Sequence, residues 1–242
     1  MQLTKLEVPT GEYDLVASLG KKCQPAGRLK RFGLRSSSGP FDWFASQKLS
    51  AVVKILEEGV DHLFLPENIQ INGTHKDCMD VSDTSTGYRS IHDLLITDCQ
   101  NGVTEAIAIM KQKIASRRAR LLEDIANADR VLLVRLTANK SGIVMLRRLL
   151  DRKFPNTKID ILVVNTARGQ PIKNEQYSLE HTFVISGDNS PSGEGWLGSD
   201  HLWGTALAGV SLKKSEALMP AAKVSFWKRA IQRLFMRAQN IN

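Results

Sequence analysis

Two short apolar segments with an amphipathic segment between them constrain the fold of this chain most strongly. Residues 131–134 (Val-Leu-Leu-Val) are all apolar, and residues 159–164 are apolar except for Asp160, as is typical of strands buried on both faces. Residues 141–153 between them carry apolar side chains at helical spacing. A strand, a helix and a second strand in this order form a βαβ unit, whose strands are parallel and joined by a right-handed crossover. The pattern predicts an α/β layered domain with a partly parallel central sheet flanked by helices.

Further apolar patterns extend this architecture over most of the chain. Strands are predicted at 13–19 and 182–185, and helices at 24–32, 46–58 and 104–126. Residues 60–90 show no clear periodicity. Because the 242 residues contain no internal repeat and no linker-like tract, we expect one α/β domain over 1–215, followed by a basic segment over 216–242.

The positive charge is concentrated at the C-terminus. The net charge is +8, but five basic residues and no acid lie after Ala217, which leaves +3 on the first 216 residues. This balance argues against specific nucleic-acid binding. Residues 221–238 predict a basic amphipathic helix, which either packs on the domain or binds an anionic membrane surface peripherally.

The expected location is the cytoplasm, at the inner face of the membrane if the C-terminal helix binds lipid. The first twenty residues lack a signal peptide, and no stretch approaches the ~20 apolar residues of a membrane span. Three cysteines in 242 residues are too few for a disulfide framework, which favours a reducing compartment.

Cys23 is the main candidate for chemistry. It follows the predicted strand 13–19 and Gly20, and it directly precedes a predicted helix. Backbone N–H groups and the positive end of the helix dipole stabilise a thiolate at such a position, so we expect a lowered thiol pKa. The alternative is a small buried cysteine without a chemical role, which is common in protein cores.

A nucleophilic thiol needs a base, most often histidine, and a group that orients the base. His92 and His201 stand out among the five histidines because each adjoins an aspartate, Asp93 and Asp200 respectively. No cysteine or histidine pair has zinc-site spacing, and no phosphate-binding glycine motif occurs, so neither a metal nor a nucleotide cofactor is expected. Arg135 ends a predicted parallel strand, at the edge where open α/β sheets bind ligands.

Several segments together are similar to an uncharacterised bacterial family of papain-like cysteine peptidases. The strongest match is Tyr13-Asp14-Leu15-Val16 through Ser18-Leu19-Gly20 and Cys23, then Gly33-Leu34-Arg35 and Ser38-Gly39-Pro40-Phe41-Asp42-Trp43. Weaker matches are His92-Asp93, Arg117 and Arg120, the strand ending in Arg135, and the 196–203 segment with Trp203. The similarity extends over roughly residues 13 to 207.

This resemblance implies that Cys23 is the nucleophile and His92 its base, with Asp42 or Asp200 orienting the histidine. We expect the substrate to be a small molecule, a peptide or a glycan. Five matched residues are its expected binding residues: Gly20, Arg35, Trp43, Arg135 and Trp203.

The position of Cys23 is also similar to the nucleophile position of SGNH-type esterases and of capsule-modifying acyltransferases. In that variant Asp200 and His201 supply the base. Peptidase, esterase and acyltransferase activities therefore all stay open, as does the oligomeric state. The alternative function is a non-catalytic module, in which Arg135 and the arginines of helix 104–126 hold an anionic glycan or phosphate, for example in envelope polysaccharide metabolism.

Overall fold

The computed structural model describes residues 6–193 and 195–213. The predicted C-terminal helix at 221–238 lies outside these residues. Within them, no helix is both long and apolar enough to cross a membrane.

Five α-helices and eleven β-strands occur in the described part of the chain. The helices are α1 (Gln24–Arg31), α2 (Leu49–Glu58), α3 (Val103–Ala126), α4 (Lys140–Lys153) and α5 (Asp200–Leu207). The strands are β1 (Gly11–Tyr13), β2 (Leu15–Ser18), β3 (Phe44–Ser46), β4 (Ile69–His75), β5 (Cys78–Asp83), β6 (Tyr88–Ser90), β7 (Arg130–Leu136), β8 (Lys158–Thr166), β9 (Lys173–Asn174), β10 (Thr182–Gly187) and β11 (Val210–Leu212).

The central sheet confirms the predicted α/β class. Its order is β2-β7-β8-β10-β9, and β2, β7, β8 and β10 are parallel, whereas β9 pairs with β10 in the antiparallel sense. The predicted βαβ unit is β7-α4-β8. Because the strands run in the same direction, the segments after β2, β7, β8 and β10 all emerge at one edge of the sheet.

Two apolar cores cover the two faces of this sheet, which explains the continuous apolar runs. Val131 and Leu133 of β7 face a core formed with α2, α3 and α4. Leu132 and Val134 face the opposite core, which holds α1 and α5. Successive strand side chains point to opposite faces, so a strand covered on both sides is apolar at most positions; Arg135 in β7 and Asp160 in β8 are buried charged exceptions.

A four-stranded antiparallel sheet has the order β3-β6-β5-β4, and three of its strands, β4, β5 and β6, lie within residues 60–90, which gave no sequence signal. Six of the seven residues of β4 are exposed, and β6 and β3 have only three residues each. A register shift also interrupts the pairing of β4 with β5 between Ile71 and Gly73. Strands that are short, exposed and irregular produce no alternation of apolar and polar residues.

Candidate active site

A sharp turn between β2 and α1 presents Cys23. Gly20 has a φ of +70° and Lys21 a φ of +84°, both in the left-handed region that non-glycine residues rarely adopt. A Cβ on Gly20 would lie 2.6 Å from the carbonyl oxygen of Phe41. Glycine is therefore required at position 20 by conformation and by space, and we place Gly20 in the support of the nucleophile.

Arg135 stabilises this turn through hydrogen bonds from the protein interior. Its buried guanidinium donates to the Leu19 carbonyl at 2.7 Å, and to both the hydroxyl, at 2.7 Å, and the carbonyl of Ser46. The Ser46 hydroxyl accepts in turn from the backbone N–H of Lys21 at 3.2 Å. Burial lowers the pKa of Arg135 to about 10. The predicted substrate-binding role of Arg135 finds no support in this arrangement, because the guanidinium donates to protein oxygens and does not line the cleft described below.

The Cys23 thiol is half-buried at the N-cap of α1. Burial raises its pKa above the ordinary thiol value, and the carboxylates of Asp42 and Asp93 act in the same direction. The Cys23 backbone N–H and the charge of Lys22 oppose this shift without overcoming it. The predicted lowering of the thiol pKa is therefore wrong for the free protein. The loss of hydration destabilises the thiolate more than the backbone N–H at the start of the helix stabilises it.

Cys23 opens into a cleft of about 1060 Å³. One wall, here called the nucleophile wall, comes from the carboxyl edge of the parallel sheet: Lys21, Lys22, Cys23, Gln24, Leu136, Thr137, Thr166, Asn189, Pro191, Gly195, Trp196 and Gly198. The other, here called the histidine wall, comes from the antiparallel sheet and its turns: Trp43, Ala45, Gln47, His75, Lys76, Arg89, Ile91 and His92. The cleft lies where the carboxyl ends of parallel strands place ligand sites in open α/β sheets.

His92 and His75 both lie on the histidine wall. The His92 ring meets Trp43 edge-on at 6.1 Å and His75 edge-on at 5.8 Å between ring centroids. Although the side chain of His92 is exposed at the surface of the cleft, this packing lowers its pKa, first by partial burial and then by repulsion from His75. The structure thus brings the predicted nucleophile and the predicted base into one cleft. Among the described residues, neither imidazole hydrogen-bonds to Cys23 or to a carboxylate.

Asp42 organises the loop beside Cys23. Its buried carboxylate accepts from the Arg35 guanidinium, with bonds of 3.0 and 2.7 Å, and from the Gly39 N–H at 2.8 Å. Arg35 also lies 5.3 Å from the centroid of the Trp43 ring. The predicted histidine-orienting role of Asp42 therefore finds no direct contact, but through Arg35 it supports Trp43, which packs on His92.

Asp200, His201 and Trp203, which were predicted as site residues, do not line the cleft. Asp200 pairs with Arg28 and, at 3.4 Å, with Arg31 of α1, and the Arg28 hydrogen bond lowers its pKa. His201 is exposed on α5 and does not line the cleft. Trp203 is fully buried in the core beneath α1. In this arrangement Asp200 links α5 to α1, and Trp203 fills the core instead of touching a substrate.

The arginines of α3 also bind protein groups. Arg117 pairs with Asp93 at 3.3 Å, and Arg118 donates to the Leu56 carbonyl at 2.9 Å. Arg120 donates to the Ser38 carbonyl. Because these three arginines already bind groups of the protein, the structure does not support the predicted anion site on α3.

Gln24, Asn189 and His75 line the cleft but carried no recognisable sequence signal. The Asn189 side-chain amide donates to Gln24 Oε1 at 3.1 Å, and Gln24 donates to the Leu197 carbonyl, so the loop before α5 is tied to the residue after Cys23. Trp196 lies over Gly27, where a Cβ would come within 2.4 Å of its ring. These contacts join positions more than 160 residues apart, and His75 reaches the cleft only through a turn of the antiparallel sheet.

In the described residues, no group of three or more histidine, cysteine or acidic side chains is arranged to hold a metal ion.

Comparisons with known proteins give one match. Neither a curated protein nor a solved structure matches the chain significantly. A family profile does match, over residues 14–166, which is more than half of the chain and includes Cys23 and His92. The chain therefore belongs to the family described as "Putative papain-like cysteine peptidase (DUF1796)", the family its segments resemble.

Proposed function

We propose that the protein is a cysteine-dependent acyl-transfer enzyme, with Cys23 as the nucleophile and His92 as the base. The observation that carries this proposal is the shared cleft: a thiol at the start of α1 faces the same space as the imidazole of His92. Family membership supports a cysteine enzyme in general. Peptidase, esterase and acyltransferase chemistry share the step proposed here and differ in the group that accepts the acyl chain.

The pKa directions of Cys23 and His92 support a step that begins with both groups neutral. The thiol pKa of Cys23 is raised and the imidazole pKa of His92 is lowered, so both groups are neutral in the resting protein near pH 7. Cys23 Sγ attacks the carbonyl carbon while its proton passes to the imidazole of His92. The imidazolium then protonates the leaving group and leaves a thioester on Cys23. Water or another acceptor attacks the thioester and releases the free thiol.

The start of α1 supplies the groups that stabilise the oxyanion. The first backbone N–H groups of a helix have no intrahelical partner, and Pro25 contributes none. The N–H groups of Cys23, Gln24 and Ala26 are therefore the candidate donors to the carbonyl oxygen as it gains charge. The missing Cys23–His92 hydrogen bond agrees with a contact that forms only when substrate is bound, as catalytic hydrogen bonds often do.

The test is acylation by p-nitrophenyl acetate, followed as an acetyl adduct on the Cys23 peptide by mass spectrometry. We expect Cys23 to be acetylated faster than Cys99 in the same molecule and Cys23→Ser to abolish the adduct. His92→Ala should slow acetylation by about 10²-fold, the usual contribution of a general base. His201→Ala is the matched control and should react like the wild type. Equal rates in the two histidine variants would remove His92 as the base.

A further inference from the structure

We propose that the substrate carries a negatively charged group, a phosphate or a carboxylate, which is held in the cleft by Lys21, Lys22 and Lys76. This inference rests on the proposed function, because it concerns the substrate of the Cys23 site. The anion would lie next to the carbonyl that the thiol attacks.

Among the described residues, four charged side chains line the cleft, and all four are basic: the three lysines and Arg89. Arg89 is neutralised by a salt bridge to Asp80. Within residues 6–193 and 195–213, no carboxylate side chain lines the cleft, and none forms a salt bridge with any of the three lysines. Three positive charges are thus left facing the space next to the nucleophile.

The three lysines lie on both walls of the cleft that contains Cys23. Lys21 and Lys22 precede Cys23 on the nucleophile wall, and Lys76 lies in the turn between β4 and β5 on the histidine wall. Lys21 is half-buried, and burial, together with repulsion from Arg135 and Lys22, lowers its pKa. Lys21 and Lys76 also adopt left-handed backbone conformations, with φ of +84° and +53°.

The carboxylates near the thiol do not cancel this charge. Asp42 and Asp93 act on the Cys23 pKa, but neither lines the cleft. Asp42 is paired with Arg35 and Asp93 with Arg117. A concave site with low-dielectric walls concentrates the field of its unpaired charges, so the cleft attracts anions more strongly than a flat surface with the same lysines.

The charge preference is measured with two thiol reagents of similar size, the anionic sulfonatoethyl and the cationic trimethylammonioethyl methanethiosulfonate. The rate ratio of anionic to cationic reagent on Cys23 is divided by the ratio on Cys99, which adjoins Asp98. Because both reagents attack the same thiolate, its pKa cancels. We expect a preference for the anionic reagent of about tenfold at low salt, falling as added salt screens the lysines.

Variants assign the effect to the lysines. The triple variant Lys21→Gln/Lys22→Gln/Lys76→Gln should lose most of the preference. Lys113→Gln/Lys153→Gln/Lys158→Gln removes the same charge from exposed positions outside the cleft and should keep it. If the first triple variant does not fold, the salt dependence of the wild-type ratio still decides. A wild-type ratio near one at low salt overturns the proposal, even where Cys23 is acetylated as expected.

Competition distinguishes the two anions. Inorganic phosphate and glutarate are each tested at millimolar concentration for protection of Cys23 against iodoacetamide. Stronger protection by phosphate assigns a phosphate group, and stronger protection by glutarate assigns a carboxylate. Protection by neither overturns the proposal. Failure of the acetylation assay with the anion preference intact would instead overturn the catalytic proposal alone.

Discussion

The two walls of the cleft are built differently. The nucleophile wall rests on the parallel sheet, where Arg135 is fully buried and binds the Leu19 carbonyl and Ser46. The histidine wall rests on short antiparallel strands, of which β4 is almost wholly exposed. Within the described residues, the His92 imidazole contacts the rings of Trp43 and His75 and makes no hydrogen bond or ion pair, while the His92 carbonyl accepts from the Cys78 thiol at 3.4 Å.

This difference assigns separate tasks to the two walls. The nucleophile wall fixes the thiol and the N–H groups of α1 in place before substrate arrives. In the described part of the chain, the imidazoles of the histidine wall bond neither a carboxylate nor the thiol, so the proposed base can move when the cleft is filled. An enzyme with one fixed and one adaptable half acquires its full catalytic geometry only in the complex.

The largest expected effect concerns two tryptophans. Trp203→Ala removes a fully buried ring from the core beneath the nucleophile wall and should lower the free energy of unfolding by about 4 kcal/mol. Trp43→Ala, on the half-buried histidine wall, should cost about half as much. Urea denaturation of both variants measures the difference. Equal losses would mean that the two walls are equally well packed.

A pair of glycines with the same backbone conformation gives the next effect. Gly20 and Gly87 both have a φ of +70°, but a Cβ meets the Phe41 carbonyl only at Gly20 and has open space at Gly87. Gly87→Ala should cost about 1 kcal/mol for the conformation alone. Gly20→Ala should cost about 3 kcal/mol, because overpacking adds to the same strain. Thermal unfolding of the two variants compares them, and similar losses would contradict the close approach at Gly20.

Two arginines sharpen the comparison further. Arg135→Met leaves buried oxygens of Leu19 and Ser46 without a donor and should destabilise the protein by about 2 kcal/mol. Arg89→Met breaks a salt bridge at a half-exposed side chain, which should cost at most about 1 kcal/mol. Only Arg135→Met should also change the alkylation rate of Cys23, since it loosens the turn. If Arg89→Met alone changed that rate, Arg135 would not be the support of the turn.

The smallest effect is electrostatic. His92 should titrate below the ordinary histidine value of about 6.5, because burial and then His75 disfavour its charged form. His75→Gln removes the second cause and should move the pKa of His92 upward. Nuclear magnetic resonance titration of the imidazole signals measures both shifts. A His92 pKa above the ordinary value would indicate a carboxylate partner that the structure does not place there.

The parallel half of the molecule was predictable because most of its strand residues are buried and therefore apolar. The apolar runs of β7 and β8 are covered on both faces, and the amphipathic pattern of α4 matches its one buried face. The antiparallel sheet was missed, since its strands are too exposed and too short to impose alternation. Cys23 was found through its place after a strand and before a helix.

The partners of the site residues were not predictable in the same way. Nothing local to Arg135 shows that it binds carbonyls, and nothing local to Asp200 shows that it pairs with α1, because these contacts depend on how distant segments meet. The pKa direction at Cys23 was wrong for a related reason. Sequence shows the helix start but not how far the surrounding loops bury the thiol.

The central claim is that the thiol of Cys23 is protonated at rest and depends on His92 only during the reaction. The most direct test is the rate of Cys23 alkylation by iodoacetamide between about pH 6 and pH 10, resolved by peptide mass spectrometry. The account predicts a rate that keeps rising above the ordinary thiol pKa of about 8.5, with no plateau at low pH and little change in His92→Ala. A plateau below pH 7 that His92→Ala abolishes would contradict it, since it would show a thiolate–imidazolium pair in the resting protein.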